Sequence, residues 1–397
     1  MSNSKLIVQK YGGATLADPD KIKQVAKRIF DLHKSGSKIV VIVSAMGQTT
    51  NQLIELAQQV SSRPSLRELD MLLTVGERIS MSLLSMALND LGCSAISFTG
   101  SQAGIITDDS HVSANIIDVK AFRVVEALKE NKVVILAGFQ GVSLNTKEIT
   151  TLGRGGSDIS AVAMAGYLKA DCCEILKDVD CIYTADPKLV KSARPISQLN
   201  YQHLLEMTSW GAKVLHHRSV KLAEEKQVIL FVGPAANSQS NGTTVSNNTT
   251  FSSQCILAIN SFSLLFQLNF KNDSPEEIQK NFHTHLRQNQ IGQLDFLFSK
   301  SEKQQTSHYF TAPLETLNSL KEFENRQNYF KITNADLASV SVTFAKPTIE
   351  KDLLEIKALL IKNSIEVLES FQISNSLHFF VNTHQKNEAV QFLHNLI

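Results

Sequence analysis

The chain has 397 residues, 43% apolar and 19% charged, with 39 Lys and Arg set against 38 Asp and Glu. That balance excludes a polybasic nucleic-acid grip and an acidic solvating tail, and a composition this apolar excludes general disorder. The length predicts two or three domains with full-sized cores; with neither a leader-like start nor a run of about 18 apolar residues, the sequence predicts a soluble, cytoplasmic protein without a membrane partner.

The first element is a β-rich run at Leu6–Gln9. A helix follows, with Asp18 as N-cap, Pro19 at its first position, an apolar stripe of Ile22, Val25, Ile29 and Leu32, and Gly36 as its stop. Further strands are predicted at Ile39–Val43, Ala95–Phe98, Val133–Ala137 and Val228–Val232, with a helical segment at Ile159–Leu168. Strands alternating with helices predict an α/β fold, an open sheet with helices on both faces.

The composition then changes. Seventeen of the 18 Gly precede residue 250 and 15 of the 20 Phe follow it. Between Asn237 and Ser253, 13 of 17 residues are Ser, Thr or Asn, which predicts a solvated linker. Beyond it Cys255–Phe270 reads as strand, Pro275–Arg287 as helix, Gln290–Phe298 and Thr306–Thr311 as strands, Pro313–Phe323 as helix and Tyr329–Ile332 as strand. A second pass runs through strand Ala338–Phe344, helix Ile349–Lys362, strands Ile365–Ile373 and Leu377–Asn382, and helix Asn387–Leu396. Two β-α-β-β-α units of ferredoxin-like α+β type are the expectation. The domains predicted are thus 1–236, a polar linker at 237–253, and small domains at 254–335 and 336–397. Five Cys, at 93, 172, 173, 181 and 255, without a CxxC spacing, predict buried reduced thiols.

Several segments could carry chemistry. Lys10-Tyr11-Gly12-Gly13 follows the first strand, where glycines let backbone N–H groups approach an anion and Lys10 adds a charge; a simple turn has the same look. Neither a Walker GxxxxGK[ST] nor a GxGxxG occurs. Thr150 to Asp158 combines Gly153, Gly155 and Gly156 with Arg154 at the start of a helix, a place suited to carboxylate or phosphate oxygens. Ser44 to Thr50 sets hydroxyls beyond a strand end, where α/β sheets bind ligands. Gly76-Glu77-Arg78 is equally an ordinary helix-surface pair, and Lys177 to Pro187 gathers Asp178, Asp180 and Asp186 in what could be a metal–nucleotide site or a solvated turn.

In register, Lys10 to Gly13, Ser44 to Gly47, Gly76 to Ser80, Phe98 to Gly104, Gly138 to Gly141, Thr151 to Asp158 and Tyr183 to Pro187 resemble the aspartate kinases, closely over residues 5–232 and more loosely to the end of the chain. The resemblance implies an amino-acid-kinase fold followed by two ACT regulatory domains, transfer of the γ-phosphoryl group of ATP to the side chain of L-aspartate with Mg²⁺ on the phosphates, and a place at the head of lysine, threonine and methionine synthesis. It implies Lys10 and Asp158 as catalytic residues, and Thr50, Glu77, Arg154 and Ser157 as substrate-binding residues. It implies Lys10, Gly12, Gly13, Ser44, Gly155, Gly156, Lys177, Asp178, Tyr183, Asp186 and Lys213 as ATP-binding residues. A homodimer through the ACT domains and a lysine or threonine effector are the implied partners. The chain departs from the family at Ala14, where Ser or Thr is usual, at Cys181 for Gly, at His217 for Pro, and at Val232-Gly233-Pro234 for a more basic loop. Its effector-loop segment reads Asp273-Ser274-Pro275-Glu276 without the usual glycine. Two other readings use the same fold: a kinase for glutamate, acetylglutamate, carbamate or UMP, against which the Glu77 and Arg154 pair speaks, and a catalytically weak regulatory subunit, against which Lys10, Arg154 and Asp158 speak.

Overall fold

In the computed structural model, the residues described are 4–212, 214–236, 241–249, 251, 253–263, 265–271, 282, 284, 286, 294–302, 305–312, 314–327 and 329–397. They form two compact units, one of Met1–Thr184 with Arg194–Ser252, the other of Ala185–Ala193 with Ser253–Ile397.

The first unit begins with β1 (Leu6–Tyr11), α1 (Pro19–Lys34), β2 (Lys38–Val43), α2 (Thr49–Val60), α3 (Leu66–Leu73), α4 (Val75–Asp90) and β3 (Ala95–Phe98). It continues through β4 (Ile105–Thr107), β5 (Ile116–Val119), α5 (Phe122–Lys129), β6 (Val133–Ala137), β7 (Gln140–Ser143), β8 (Ile149–Thr151), α6 (Gly156–Leu168) and β9 (Cys172–Lys177). β10 (Ile182–Tyr183), β11 (Pro195–Ile196), β12 (Gln198–Leu199), α7 (Tyr201–Ser209), α8 (His217–Lys226), β13 (Leu230–Pro234) and β14 (Thr243–Val245) complete it.

Eight strands form the main sheet in the order β12-β14-β13-β9-β1-β2-β6-β3, parallel from β13 to β3. Ile39 to Val43 are all fully buried, as a central parallel strand covered on both faces requires. On one face the Ile22, Val25 and Ile29 stripe of α1 packs with Met81, Leu84 and Leu88 of α4 over Tyr11, Val41 and Ile135. Asp18 caps α1 as expected, its Oδ1 accepting from Lys21 N at 2.9 Å. α6 covers β1, β2 and β9 from the other face. Strand alternation therefore sends Gln9 and Tyr11 to the α1 side and Lys10 to the α6 side. Leu66–Asp90 is a 25-residue helical stretch long and apolar enough to match a bilayer, yet it carries buried Asp70 and Glu77 and packs into this core. A smaller sheet, β5-β4-β7-β8, stands beside the main one in sequence between β3 and α6.

The linker expectation needs correction. Thr243–Val245 is a strand of the main sheet, antiparallel to β13, and Thr243 Oγ1 accepts from Ile182 N at 2.9 Å and donates to Ile196 O at 2.6 Å. Polar β-branched residues that look solvated in sequence are satisfied there by backbone partners.

The second unit also differs from the predicted 254–335 and 336–397 division. Cys255–Phe270 is two strands, β15 (Ile256–Phe262) and β16 (Phe266–Phe270), belonging to different sheets. β16 joins β17 (Asp295–Glu302), β18 (Gln305–Thr311) and β19 (Phe330–Asn334), with α9 (Leu314–Gln327), around a core of Phe266, Phe282, Phe310, Phe323 and Phe330. β15 pairs instead with β20 (Leu337–Phe344), in a sheet with β21 (Val367–Ile373) and β22 (Ser376–Asn382), covered by α10 (Glu350–Lys362) and α11 (Lys386–His394). The Phe-rich module is inserted between the first two strands of the other, because Ile259 fits the Val340, Val342 and Phe379 core while Leu268 fits the aromatic one. Asp273–Glu276 and most of the predicted helix Pro275–Arg287 lie outside the described residues. Cys93, Cys173 and Cys181 are buried thiols as expected, but Cys172 is only half-buried and Cys255 is exposed.

Candidate active site

Three strand ends and one helix start meet in the first unit. β1 ends with Lys10 and Tyr11 and leads into Gly12 and Gly13; β2 leads into Ser44; β9 ends with Lys177; and α6 starts at Gly156. The ends of β1 and β2 and the start of α6 wall a cleft of about 280 Å³ lined by Lys10, Gly13, Ser44, Thr50, Glu77, Gly155, Gly156, Ser157 and Asp158, together with Ala45, Gly47, Phe139 and Gly153; Lys177 does not line it.

At the floor Lys10 Nζ lies 2.7 Å from Asp158 Oδ1, both side chains less than a tenth exposed. Burial alone would lift the Asp158 carboxyl, but the Lys10 and Lys177 cations hold it below the ordinary range, so it is ionised. Lys177 is partly buried, and desolvation lowers its ammonium, opposed by Asp158; its Nζ donates to Val214 O. The floor thus holds two cations around one carboxylate, a net positive place for anions.

The glycines are needed for closeness. A Cβ on Gly13 would lie 2.7 Å from Ala45 O, and one on Gly156 2.8 Å from Phe139 Cδ2. Gly155 has φ +71 and would drive a Cβ to 2.3 Å from His216 Cβ. Gly155→Ala is therefore expected to cost about 1–3 kcal/mol of stability and to displace the first turn of α6; a melt and a kcat that both match the wild type would refute this. His216 packs on that turn as the N-cap of α8, and burial, with His217 and Arg218 beside it, pushes its imidazole down to about 4, leaving it neutral.

Glu77 faces the cleft from the first turn of α4. Its Oε1 accepts from Ala45 N at 3.1 Å, while the buried Oε2 has no hydrogen-bond partner among the described residues. Burial raises the carboxyl to about 7, against the pull of the Ala45 N–H. An orphaned buried carboxylate oxygen aimed into a cleft is a place for a ligand's cation.

Not every predicted residue lines this cleft. Gly12 adjoins it, 3.8 Å separating its would-be Cβ from Lys10 Nζ. Arg154 is exposed between two lining glycines. Asp178 is exposed, and Tyr183 sits on β10, hydrogen-bonded to Cys181. Asp186 folds with the second unit, where Oδ1 accepts from Lys188 N at 2.9 Å; carboxylates in turns serve their own backbone first. Lys213 lies outside the described residues. Thr15 does not stand in for the hydroxyl missing at Ala14, since its Oγ1 donates to Gly12 O at 2.7 Å. Phe139, between β6 and β7, and Gly153, between β8 and α6, line the cleft without a predicted role, because an apolar or glycine loop residue carries no chemical signature of its own.

Residues 5–233 match the model of the amino acid kinase family. The chain is 36% identical over 400 residues to an aspartokinase of Bacillus sp. (strain MGA3), a match covering 98% of this chain and 96% of that protein. The chain belongs to the aspartokinases of the amino acid kinase family. An aspartokinase of Mycobacterium tuberculosis (strain ATCC 25618 / H37Rv) is 55% identical over 227 residues, 57% of this chain and 54% of its own, so the chain matches about half the length of such relatives. The crystal structure of E. coli aspartokinase III in complex with aspartate and ADP has the same fold, with TM-score 0.80 at 22% identity over 99% of this chain and 100% of that one.

Proposed function

We propose that the protein is an ATP:L-aspartate 4-phosphotransferase, and the observation that carries this reading is the buried Lys10–Asp158 pair sharing a glycine-walled cleft with the orphaned carboxylate of Glu77. An aspartate side chain is already an anion at neutral pH, so it needs no general base; the chain must position it and offset charge between two anions. Lys10 would neutralise the transferring phosphoryl oxygens, held in place by Asp158, with Lys177 as a second cation. The backbone N–H groups of Gly155 and Ser157 at the start of α6 would take phosphate oxygens, which the helix dipole favours, while the Gly156 N–H donates to Gly153 O at 2.9 Å and holds the turn. Glu77 would hold the substrate ammonium and Arg154 its α-carboxylate, with Ser44 and Thr50 aligning the rest.

Among the described residues no three His, Cys, Asp or Glu side chains group to hold a metal. Since Asp158 is engaged by Lys10, a Mg²⁺ ion would be held chiefly by the nucleotide phosphates, whose charge it offsets. The second unit would serve as paired ACT domains that join two copies and respond to lysine or threonine, in a cytoplasmic enzyme heading the synthesis of lysine, threonine and methionine.

The test is ATP turnover by purified protein with Mg²⁺ and L-aspartate, the acyl phosphate trapped with hydroxylamine, with glutamate, acetylglutamate, carbamate and UMP as comparison substrates. Hydroxamate formed with aspartate alone is the expected result. Well-folded protein giving none would favour a regulatory subunit instead.

A further inference from the structure

The two side chains proposed to grip the ends of a free amino acid come from separate elements, Glu77 from α4 and Arg154 from the loop between β8 and α6. A ligand with an ammonium and a carboxylate on one carbon demands a fixed spacing between them. One buried residue joins the two elements.

Asp70 on α3 is fully buried, yet neither lines the cleft nor belongs to an apolar cluster. Its carboxylate faces the loops that brace Arg154. Oδ1 accepts from Thr151 Oγ1 at 2.6 Å, three residues before Arg154, and from Val112 N at 3.0 Å. Oδ2 lies 2.6 Å from His111 Nδ1 and 3.2 Å from Val112 N. Val112 has φ +66, a strained conformation for a β-branched residue. Its carbonyl backs Gly153, lying 3.0 Å from where a Cβ would project. Thr151 O accepts from Ala114 N at 2.9 Å, so the 111–114 segment is joined directly to the strand that leads into the Arg154 loop.

On the other side, Asp70 is tied by the chain itself to Glu77. α3 passes through Thr74, still helical at φ −64 and ψ −14, straight into α4. Gln140 Nε2 donates to Thr74 O at 3.2 Å and fixes that junction. Glu77 therefore stands two helical turns from Asp70 on a braced helical stretch. Three groups, the Thr151 hydroxyl, the His111 ring and the Val112 N–H shared between both oxygens, thus tie this one buried carboxylate to two separate segments.

We propose that Asp70 is the positioning residue that sets the spacing of Glu77 and Arg154, and so controls binding of the amino-acid substrate rather than of the nucleotide. This rests on the reading that those two residues hold the substrate ammonium and α-carboxylate.

The test uses the full chain with Thr151→Val, which keeps the shape but removes the hydroxyl donor, Thr151→Ser, which restores it, and Asp70→Asn. Thr151→Val is expected to raise KM for aspartate about 10-fold with KM for ATP unchanged and kcat within about threefold, and Asp70→Asn to raise it further. Thr151→Ser should behave as the wild type. If Val and Ser variants are equally impaired, or if kcat and both KM values change together, Asp70 is only structural and the inference fails. Should Asp70→Asn not fold, the Thr151 pair decides. Glu77→Gln separates the two levels: a raised aspartate KM there with none in Thr151→Val overturns the positioning role alone, whereas no change in Glu77→Gln overturns the substrate reading beneath it.

Discussion

Replacing Lys10 by Met is expected to lower kcat about 1000-fold while leaving KM for aspartate within a few-fold, because the Lys10 charge matters most where negative charge gathers between nucleophile and phosphoryl group. The same change should destabilise the fold. Asp158 is only 5% exposed, and without Lys10 it keeps Lys177 as its remaining cation. Breaking one half of a buried pair costs about 3–5 kcal/mol, less here to the extent that Lys177 compensates. Adding Asp158→Asn to Lys10→Met should recover most of that stability and none of the activity. Denaturant melts and initial rates on the two single variants and the double variant check both statements. Retained turnover in Lys10→Met would remove Lys10 from the reaction, and a double variant as unstable as the single would show that the unpaired carboxylate is not the cause.

Replacing Glu77 by Gln is expected to do the opposite to stability and to impair binding of aspartate rather than turnover. Burial lifts the Glu77 carboxyl from 4.5 to about 7. A raised acid favours the folded state fully below the lower value and loses that contribution as pH climbs through the higher one. A shift of this size corresponds to about 3 kcal/mol. Glu77→Gln, which carries no such charge, should therefore melt several degrees higher than the wild type at pH 8 and close to it at pH 5. Its KM for aspartate should rise about 100-fold, since the buried carboxylate no longer meets the ammonium. In the wild type, an arriving ammonium favours the ionised carboxylate, so aspartate binding should release a proton near pH 6.5 and tighten between pH 6 and 8. Calorimetry in buffers of different ionisation enthalpy reads the proton directly. Equal melting of the two proteins at pH 8, or aspartate binding without proton release, would refute this account.

Such a site is less stable than it could be because its function needs an unpaired buried charge. Glu77 and Asp70 show how differently two carboxylates on one helical stretch are used. Asp70 has its oxygens filled by Thr151, Val112 and His111, whereas Glu77 keeps one oxygen without a protein partner.

Much of this was already determined by local sequence. The β-rich run at Leu6–Gln9, the uniformly apolar Ile39–Val43, the Asp18 cap with the Ile22, Val25 and Ile29 stripe, and the glycines at 13, 155 and 156 follow from periods, caps and close approach, which act over a few residues. Lys10 was legible as a cation at a strand end for the same reason, whereas Asp158 was singled out only by the family resemblance and its pairing with Lys10 is a product of the fold. Only tertiary structure decided the rest. Whether Ile256–Phe262 pairs with its neighbour in sequence or with Leu337–Phe344 depends on which core its side chains fit, and an apolar run of either kind reads alike. Thr243–Val245 became a strand because Leu230–Val232 and Gln198–Leu199 supplied backbone partners on either side, with Ile182 N and Ile196 O satisfying the Thr243 hydroxyl. Asp70 looks like any acidic residue on an amphipathic helix until the fold brings Thr151 and Val112, 81 and 42 residues distant, to its two oxygens. Local chemistry specifies elements and their ends, but the long-range pairings that set the distance between two charges belong to the folded chain.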